Sequence, residues 1–111
     1  MLRLVLAFLF TINCFAQDFP EGLVVVEFNA SFNQANAVDW LPKLTDCEIQ
    51  RVDIAADARW ASEYKIVVVP TLVVLNNNEE AKRFQANIMM TMEATRRELQ
   101  DAIDEIIMEA F

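Results

Sequence analysis

The pattern of apolar and polar positions predicts a first strand at Leu23 to Phe28. This run is apolar at every position except Glu27 and is rich in valine, which is typical of a strand buried on both faces. A polar corner follows the strand. From Asn33 to Leu44 the apolar residues recur at helical spacing, and Asn33 is a residue type that caps helix N-termini. Pro42 lies inside this segment, so we expect the helix to bend or end there.

Further along, the pattern predicts five more elements. In chain order they are a strand (Glu48 to Ile54), a short helix (Ala56 to Tyr64), two strands (Thr71 to Leu75 and Lys82 to Gln85), and an amphipathic helix (about Thr91 to Ala110). Asn76-Asn77-Asn78 is the turn between the last two strands, because asparagine tolerates positive φ. The order β-α-β-α-β-β-α predicts a single α/β domain.

The length and composition indicate one globular domain that can bury a hydrophobic core. The chain has 111 residues, and 55% of them are hydrophobic. Its 17 acidic and 9 basic residues give a formal net charge of -8. An acidic surface repels phosphate backbones, so we expect no nucleic acid partner. The acids are spread along the chain, which favours a role as a solubilising surface.

The N-terminal residues resemble a secretory signal peptide. A short basic start (Met1 to Arg3) precedes an apolar run (Leu4 to Ile12), and small residues follow at Cys14 and Ala16. We predict cleavage after Ala16. The alternatives are a lipoprotein signal with Cys14 at the cleavage site and a signal that stays attached as an anchor.

Cleavage there would divide the chain into a signal peptide (residues 1–16) and an exported domain (residues 17–111), periplasmic or secreted. The apolar run is too short to cross a bilayer, which needs about 20 residues. We therefore expect no membrane span after signal cleavage.

The two cysteines are Cys14 and Cys47. Removal of the signal would take Cys14 away, so no intrachain disulfide could form in the processed chain. Cys47 then remains as a free thiol that is buried and inert, exposed and reactive, or paired with another chain. The chain has no histidine, which is the commonest metal ligand and general base, so we expect no metal site and no cofactor.

Two stretches resemble the thioredoxin family. Val26-Glu27-Phe28 is similar to the Val-Asp-Phe strand that leads, in that family, to Trp-Cys-x-x-Cys at the start of a helix. The run from Tyr64 to Thr71 is similar to the family's Tyr-x-Ile-x-x-x-Pro-Thr, whose proline is cis. The resemblance covers Leu23 to about Ile107. It implies a thioredoxin-like α/β sandwich, with a central mixed β-sheet flanked by helices.

By this resemblance, the corner from Phe32 to Asn36 is a degenerate active site. Phe32 takes the place of the Trp, and Asn33 and Asn36 stand where both cysteines should be, with Gln34 and Ala35 between them. Disulfide exchange needs a thiolate and a second thiol, and a carboxamide provides neither. We therefore expect no catalytic residue in the corner. The link from the corner to the next strand is also about two helical turns shorter than is usual in the family.

The resemblance further implies a groove at Val69 and Pro70, joined by a cis peptide bond. In the family, this backbone pairs with an extended substrate peptide by strand addition. The alternative is that Pro70 only shapes the turn. Glu27 matches a buried acid beneath the family's cysteines, and Arg51 matches a lysine that pairs with it. We expect Glu27 to be a core acid stabilised by Arg51. The alternative is an acid that contacts a ligand at the floor of the groove.

These residues favour an exported, non-catalytic domain that binds an extended peptide or a protein partner at the corner formed by Phe32–Asn36 and Pro70. Two alternatives stay open. One is residual thiol–disulfide activity through Cys47, alone or across a dimer. The other is a structural subunit that docks on a larger assembly through an apolar face. The sequence names neither the partner nor the oligomeric state.

Overall fold

The computed structural model describes residues 18–110. Within that range the chain forms four β-strands, two α-helices and two short 3-10 helices. The strands are β1 (Leu23–Asn29), β2 (Glu48–Asp53), β3 (Thr71–Asn76) and β4 (Glu79–Gln85), and the α-helices are α1 (Arg59–Glu63) and α2 (Arg96–Glu109). The 3-10 helices, Ser31–Asn36 and Leu41–Lys43, lie between β1 and β2.

The strands form one mixed sheet in the order β2-β1-β3-β4. β1 pairs with β2 in parallel, and Glu27 lies opposite Arg51 in that register. β1 and β4 both run antiparallel to β3. A register shift between Val74 and Leu75 interrupts the β3–β4 pairing. The expected central mixed sheet is confirmed, with β1 and β3 as its inner strands.

One face of the sheet carries an aromatic core. Val26 and Phe28 of β1 are fully buried on this face. The rings of Phe19, Trp60 and Tyr64 pack around Phe28, with centroids 5.0 to 6.4 Å from its own. Aromatic side chains bury large apolar areas, so this packing holds the short α1 on the sheet.

The opposite face packs under α2. Val25, Leu72 and Val74 of the sheet form one fully buried cluster with Leu99 and Ile103 of α2. Because side chains alternate along a strand, β1 contributes to both cores. Its near-continuous apolar sequence follows from that double burial.

A capping box starts α2. The Thr95 side chain accepts the Glu98 N–H at 3.2 Å, while the Glu98 carboxylate accepts the Thr95 N–H at 2.8 Å. The helix therefore begins at Arg96, and the predicted start near Thr91 is wrong. Part of the segment before Thr95, residues 87–91, forms the loop described below.

The predicted helix from Asn33 to Leu44 is wrong. Two 3-10 helices take its place, and Asn33 lies inside the first with φ of -114° and ψ of 22°, which are not helical values. Asn33 therefore does not cap a helix. Pro42 lies in the first turn of the second 3-10 helix, where the missing N–H would have no helical partner. The short link between β1 and β2 accommodates two tight turns in place of one helix.

The asparagine turn is confirmed. Asn77 and Asn78 have φ of 53° and 65°, which makes a two-residue hairpin that starts β4 directly at Glu79. β4 is therefore three residues longer than predicted. The same side chains hold the chain that leads into β1. Asn77 Oδ1 accepts the Gly22 N–H at 2.8 Å, and Asn78 Nδ2 donates to the Phe19 carbonyl at 2.7 Å.

The first α-helix is shorter than predicted. It begins at Arg59, after Asp57 Oδ1 accepts the Arg59 N–H at 3.0 Å in the preceding turn, and it ends at Glu63. Within residues 18–110, no helix is long and apolar enough to cross a membrane. The predicted signal peptide, its cleavage after Ala16, and Cys14 lie outside the described residues.

Candidate functional site

The corner and the proline segment meet at the end of β1. The Asn33 N–H donates to the carbonyl of Ala30, the residue that follows β1, at 2.8 Å. The Asn33 side-chain nitrogen Nδ2 lies 3.4 Å from the carbonyl oxygen of Val69, and the Val69–Pro70 peptide bond is cis. The structure thus brings together the two segments that the sequence assigned to one site.

An apolar hollow of about 290 Å³ opens beside this junction. It is lined by Phe32, Ile54, Ile66, Val67, Val68, Val69, Asn87, Ile88 and Met90. Three of these side chains are strongly exposed for their type, Phe32 by 74%, Val67 by 77% and Ile88 by 95%. None of the described residues that line the hollow carries a charge, so it is suited to an apolar side chain.

Residues 87–91 form a closed loop, the 87–91 loop, that displays Ile88, Met89 and Met90. Asn87 Oδ1 accepts hydrogen bonds from the Met89 N–H at 2.9 Å, the Thr91 N–H at 3.1 Å and the Thr91 hydroxyl at 3.0 Å. The Asn87 N–H donates to the Thr91 carbonyl at 3.0 Å. Sequence reasoning missed this loop. An asparagine followed four residues later by threonine, around an apolar triplet, is the signal that could have found it.

The backbone beside the hollow has free hydrogen-bond donors. Among the hydrogen bonds within residues 18–110, none uses the N–H groups of Val67, Val68 or Val69. Two carbonyls of this segment are already bound. The Thr71 hydroxyl donates to the Val68 carbonyl at 2.7 Å, and Asn33 faces that of Val69. These three N–H groups are thus donors without a hydrogen-bond partner among residues 18–110.

Asn33 is buried, at 4% exposure, although its neighbours Phe32 and Gln34 are exposed. Its Nδ2 lies 3.2 Å from Asn29 Oδ1 and 3.1 Å from the Met90 carbonyl. The Asn36 side chain donates to Asn33 Oδ1 at 2.8 Å. We call Asn29, Asn33 and Asn36 the asparagine network. Two of its members stand at the positions that the sequence matched to cysteines, whereas Gln34 and Ala35 point to solvent and do not line the hollow.

Glu27 and Arg51 form a second network nearby, the Glu27–Arg51 network. Glu27 is 2% exposed, and its two carboxylate oxygens accept from Arg51 Nη1 at 2.6 Å and from the Val38 N–H at 2.7 Å. Arg51 Nη2 donates to the Val38 carbonyl at 2.9 Å, which closes a ring. The carboxylate therefore binds the backbone of the β1–β2 link. Glu27 does not line the apolar hollow.

Cys47 lies just before β2, away from the corner. It is half-buried and packs beside the core that α2 covers. Burial raises the pKa of the Cys47 thiol, and the nearby Asp46 charge raises it further. A raised pKa lowers the thiolate fraction at neutral pH, which weakens a nucleophile.

The polar groups at the hollow are carboxamides and backbone amides. Such groups bind by hydrogen bonds and do not exchange disulfides. Within residues 18–110, no three histidine, cysteine, aspartate or glutamate side chains lie close enough to hold a metal ion. The arrangement is thus one of shape and hydrogen bonding.

Solved structures show which fold this is. A thioredoxin of Schistosoma mansoni superposes with a TM-score of 0.58 at 22% identity, covering 91% of this chain and 86% of that one. A thioredoxin variant of Halobacterium salinarum gives 0.60 at 23% identity, covering 77% and 74%. The chain has a thioredoxin-like fold. A Fasciola hepatica thioredoxin agrees, with a TM-score of 0.55 at 21% identity over 90% of this chain and 89% of that one.

No family model matches the chain, and no curated protein matches it in sequence. At identities of 21% to 23%, the likeness to thioredoxins extends to the fold alone. On that thioredoxin-like scaffold, this chain places two asparagines and a protruding apolar loop around its cis-proline corner. Its function must therefore be argued from those groups.

Proposed function

We propose that this protein is an exported, non-catalytic thioredoxin-like domain that binds an extended peptide, or an extended segment of a protein partner, beside Pro70. The observation that carries the proposal is the apolar hollow next to the free N–H groups of Val67 to Val69. The hollow offers a site for one side chain, and the backbone offers strand-like pairing. These are the two parts of peptide recognition by strand addition.

The exposed apolar side chains support this proposal because they are contiguous. Scattered exposed apolar residues are ordinary on a protein surface, whereas a cluster around a concavity marks a binding site. Phe32, Val67 and Ile88 all border the one hollow of about 290 Å³. Burial of a leucine or phenylalanine side chain contributes roughly 1.5–3 kcal/mol. One such anchor with a few main-chain hydrogen bonds supports a Kd on the order of 1–100 µM.

Charge narrows the class of peptide. The chain carries a net charge of -8. Two acids bond to residues in or beside the lining of the hollow. Asp53 accepts the N–H of Ser31, next to Phe32, at 3.2 Å, and Glu93 accepts from the Asn87 side chain at 2.9 Å. The ligand we propose is therefore an apolar residue flanked by lysine or arginine. Its affinity should fall as salt rises, because salt screens surface charges.

Asn33, Asn36 and Cys47 support the non-catalytic part of the proposal. Asn33 and Asn36 carry carboxamides where disulfide exchange needs thiols. Cys47 lies away from the hollow, and its raised pKa makes it a poor nucleophile at neutral pH. The export part rests on the signal-like pattern of residues 1–16.

Selection of a phage-displayed peptide library against the protein tests the proposal. The library holds random peptides about nine residues long, and the target is produced from the 111-residue sequence. We expect the enriched peptides to share one large apolar residue with basic neighbours. Fluorescence anisotropy then gives the Kd of an enriched peptide. Phe32→Ala and Ile88→Ala should each weaken binding about fivefold to tenfold, because each removes an apolar contact worth roughly 1 kcal/mol or more.

Met108→Ala is the matched control. Met108 is as exposed as Phe32, at 75%, but it lies near the end of α2 and does not line the hollow. Its removal should leave the Kd within about twofold. Failure to enrich any peptide, or equal affinities for all three variants, would contradict the proposed function.

A further inference from the structure

We infer that Asn33 is the positioning residue of the groove, because its carboxamide ties together the two walls of the hollow. The inference rests on the proposed function, since it explains how the groove keeps its shape. Asn33 itself is 4% exposed and does not line the hollow. It therefore acts on a ligand through Val69 and Met90.

Asn33 lies among three separate segments of the chain. Its Nδ2 is 3.1 Å from the Met90 carbonyl in the 87–91 loop and 3.4 Å from the Val69 carbonyl before Pro70. It is also 3.2 Å from Asn29 Oδ1 at the end of β1. Val69 and Met90 both line the hollow. One buried side chain thus links the rigid sheet to both walls.

The partners determine which end of the carboxamide faces the walls. Backbone carbonyls only accept hydrogen bonds, so the group that faces Val69 and Met90 must be the donor Nδ2. Its two hydrogens are shared among three acceptors. The acceptor end, Oδ1, receives the Asn36 side chain at 2.8 Å. Asn29 returns a bond from its own Nδ2 to the Asn33 carbonyl at 3.3 Å. Only a group with one donor end and one acceptor end fits this position.

Residues 87–91 otherwise bond within their own segment, while the residue before them is held at the corner, where the Ala86 N–H donates to the Pro70 carbonyl at 3.1 Å. Asn87 binds Met89 and Thr91 within the loop and reaches Glu93 just beyond it. Among the hydrogen bonds within residues 18–110, the one from Asn33 to the Met90 carbonyl is the one that joins the loop to the corner. Without it, we expect the loop to lose its fixed place beside Val69 and the hydrogen bonds that close it around Asn87 to open more often.

Loss of that fixed place should weaken binding. A site that is formed for only a fraction of the time shows a Kd raised by the inverse of that fraction. A carboxylate at position 33 would turn the attraction into repulsion, because it has no donor and its oxygen would face three acceptor oxygens. A thiol there would leave the same carbonyls without a strong donor.

Asn33→Asp tests, without any ligand, whether the Asn33 side chain holds the 87–91 loop in place. Gln34→Glu is its matched control, because it adds the same charge one residue away at an exposed position. Hydrogen exchange is measured on proteins produced from the 111-residue sequence. In Asn33→Asp, the Met90 and Thr91 amides should exchange about tenfold faster than in the parent, or more. It should stay near the parent rate in Gln34→Glu. In NMR spectra of protein labelled with 13C-methyl-methionine, the methyl signals of Met89 and Met90 should shift relative to the parent, and the Met108 signal should stay in place.

Asn33→Ala is the second variant, because it removes the donor without adding a charge and should fold if the aspartate variant does not. Exchange at Val25 and Val74, inside the sheet, reports whether the fold is retained. A loop that exchanges at the parent rate in every folded Asn33 variant would overturn the inference.

Binding of an enriched peptide separates this inference from the proposed function. We expect the Kd to rise about tenfold in the Asn33 variants, equivalent to 1.4 kcal/mol, and to stay within about twofold in Gln34→Glu. If the loop loosens while the Kd is unchanged, Asn33 ties the loop but does not position the groove, and the inference is wrong. If the parent binds no peptide, the proposed function fails while the exchange result still decides the tie.

Discussion

The Glu27–Arg51 network and the asparagine network lie side by side at the end of β1, but they differ in charge and in what they hold. The first pairs a carboxylate that is 2% exposed with a guanidinium, and both bind the backbone of Val38. The second is neutral and binds the carbonyls of Val69 and Met90. One therefore closes the link between β1 and β2, and the other supports the walls of the hollow.

The difference shows how one corner serves both stability and recognition. A buried charge is costly unless it is fully paired, so it suits a segment that never opens. A carboxamide has a far smaller desolvation cost, so it can lie directly beneath an exposed apolar surface. We therefore expect substitutions in the Glu27–Arg51 network to change mainly stability, and substitutions in the asparagine network to change mainly binding.

The largest effect is expected for Arg51→Met. This change leaves the buried Glu27 carboxylate with the Val38 N–H as its remaining partner. Breaking a buried pair costs about 3–5 kcal/mol, and we expect about 2–3 kcal/mol here because the Arg51 side chain is 40% exposed. Urea unfolding measures the loss. The Kd of an enriched peptide should stay unchanged while the protein is folded.

Arg59→Met is the control for that prediction. Arg59 is 47% exposed and approaches surface acids at 3.3 to 3.9 Å. Surface ion pairs contribute about 0–1 kcal/mol, so its loss should be small. Equal losses for the two arginine variants would show that the buried ring adds nothing special, and the comparison of the two networks would fail.

The next variant combines Asn33→Cys and Asn36→Cys in a Cys47→Ser background. It should lose less stability than Arg51→Met, and it tests whether a corner with two cysteines reduces disulfides. Loss of the carboxamide donors should lower the free energy of unfolding by about 1–2 kcal/mol. Position 33 lies inside a 3-10 helix and not at the start of an α-helix, so no α-helix N-terminus lowers the pKa of a thiol placed there. We expect little reduction of insulin disulfides. Rapid turnover would show that the corner still supports the family's chemistry.

Cys47 lies outside both networks, and Cys47→Ser should have the smallest effect. Because the thiol pKa is raised in the folded protein, its stabilising contribution is complete below the pKa of the unfolded chain. It is lost as the pH rises through the folded value. As the pH rises past the ordinary pKa of a thiol, about 8.5, the free energy of unfolding should therefore decline more in the parent than in Cys47→Ser. A thiol reagent that modifies folded parent as fast as unfolded parent would contradict the half-buried placement.

Much of the fold could be predicted because its signals are local. The valine-rich run of β1 encodes burial on both faces, and Asn77 and Asn78 encode a turn that needs positive φ. The Glu27–Arg51 contact followed from the resemblance, and it is made across neighbouring strands in register. These features depend on spacing along the chain or on one strand pairing.

The rest of the site depends on contacts between distant segments. Asn33 read as a helix cap, but its side chain binds Val69 and Met90, 36 and 57 residues away in sequence. Ile88 is apolar yet 95% exposed, because the Asn87 bonds close a loop that holds it outside both cores. Periodicity carries no information about either arrangement.

The most direct test of the central claim, that a peptide binds in the apolar hollow, is a titration of 13C-methyl-methionine protein with an enriched peptide. We predict that the Met89 and Met90 methyl signals shift and saturate with the Kd measured by anisotropy, while the Met108 signal stays in place. A shift at Met108 alone, or saturated binding with no change at Met89 and Met90, would contradict the claim.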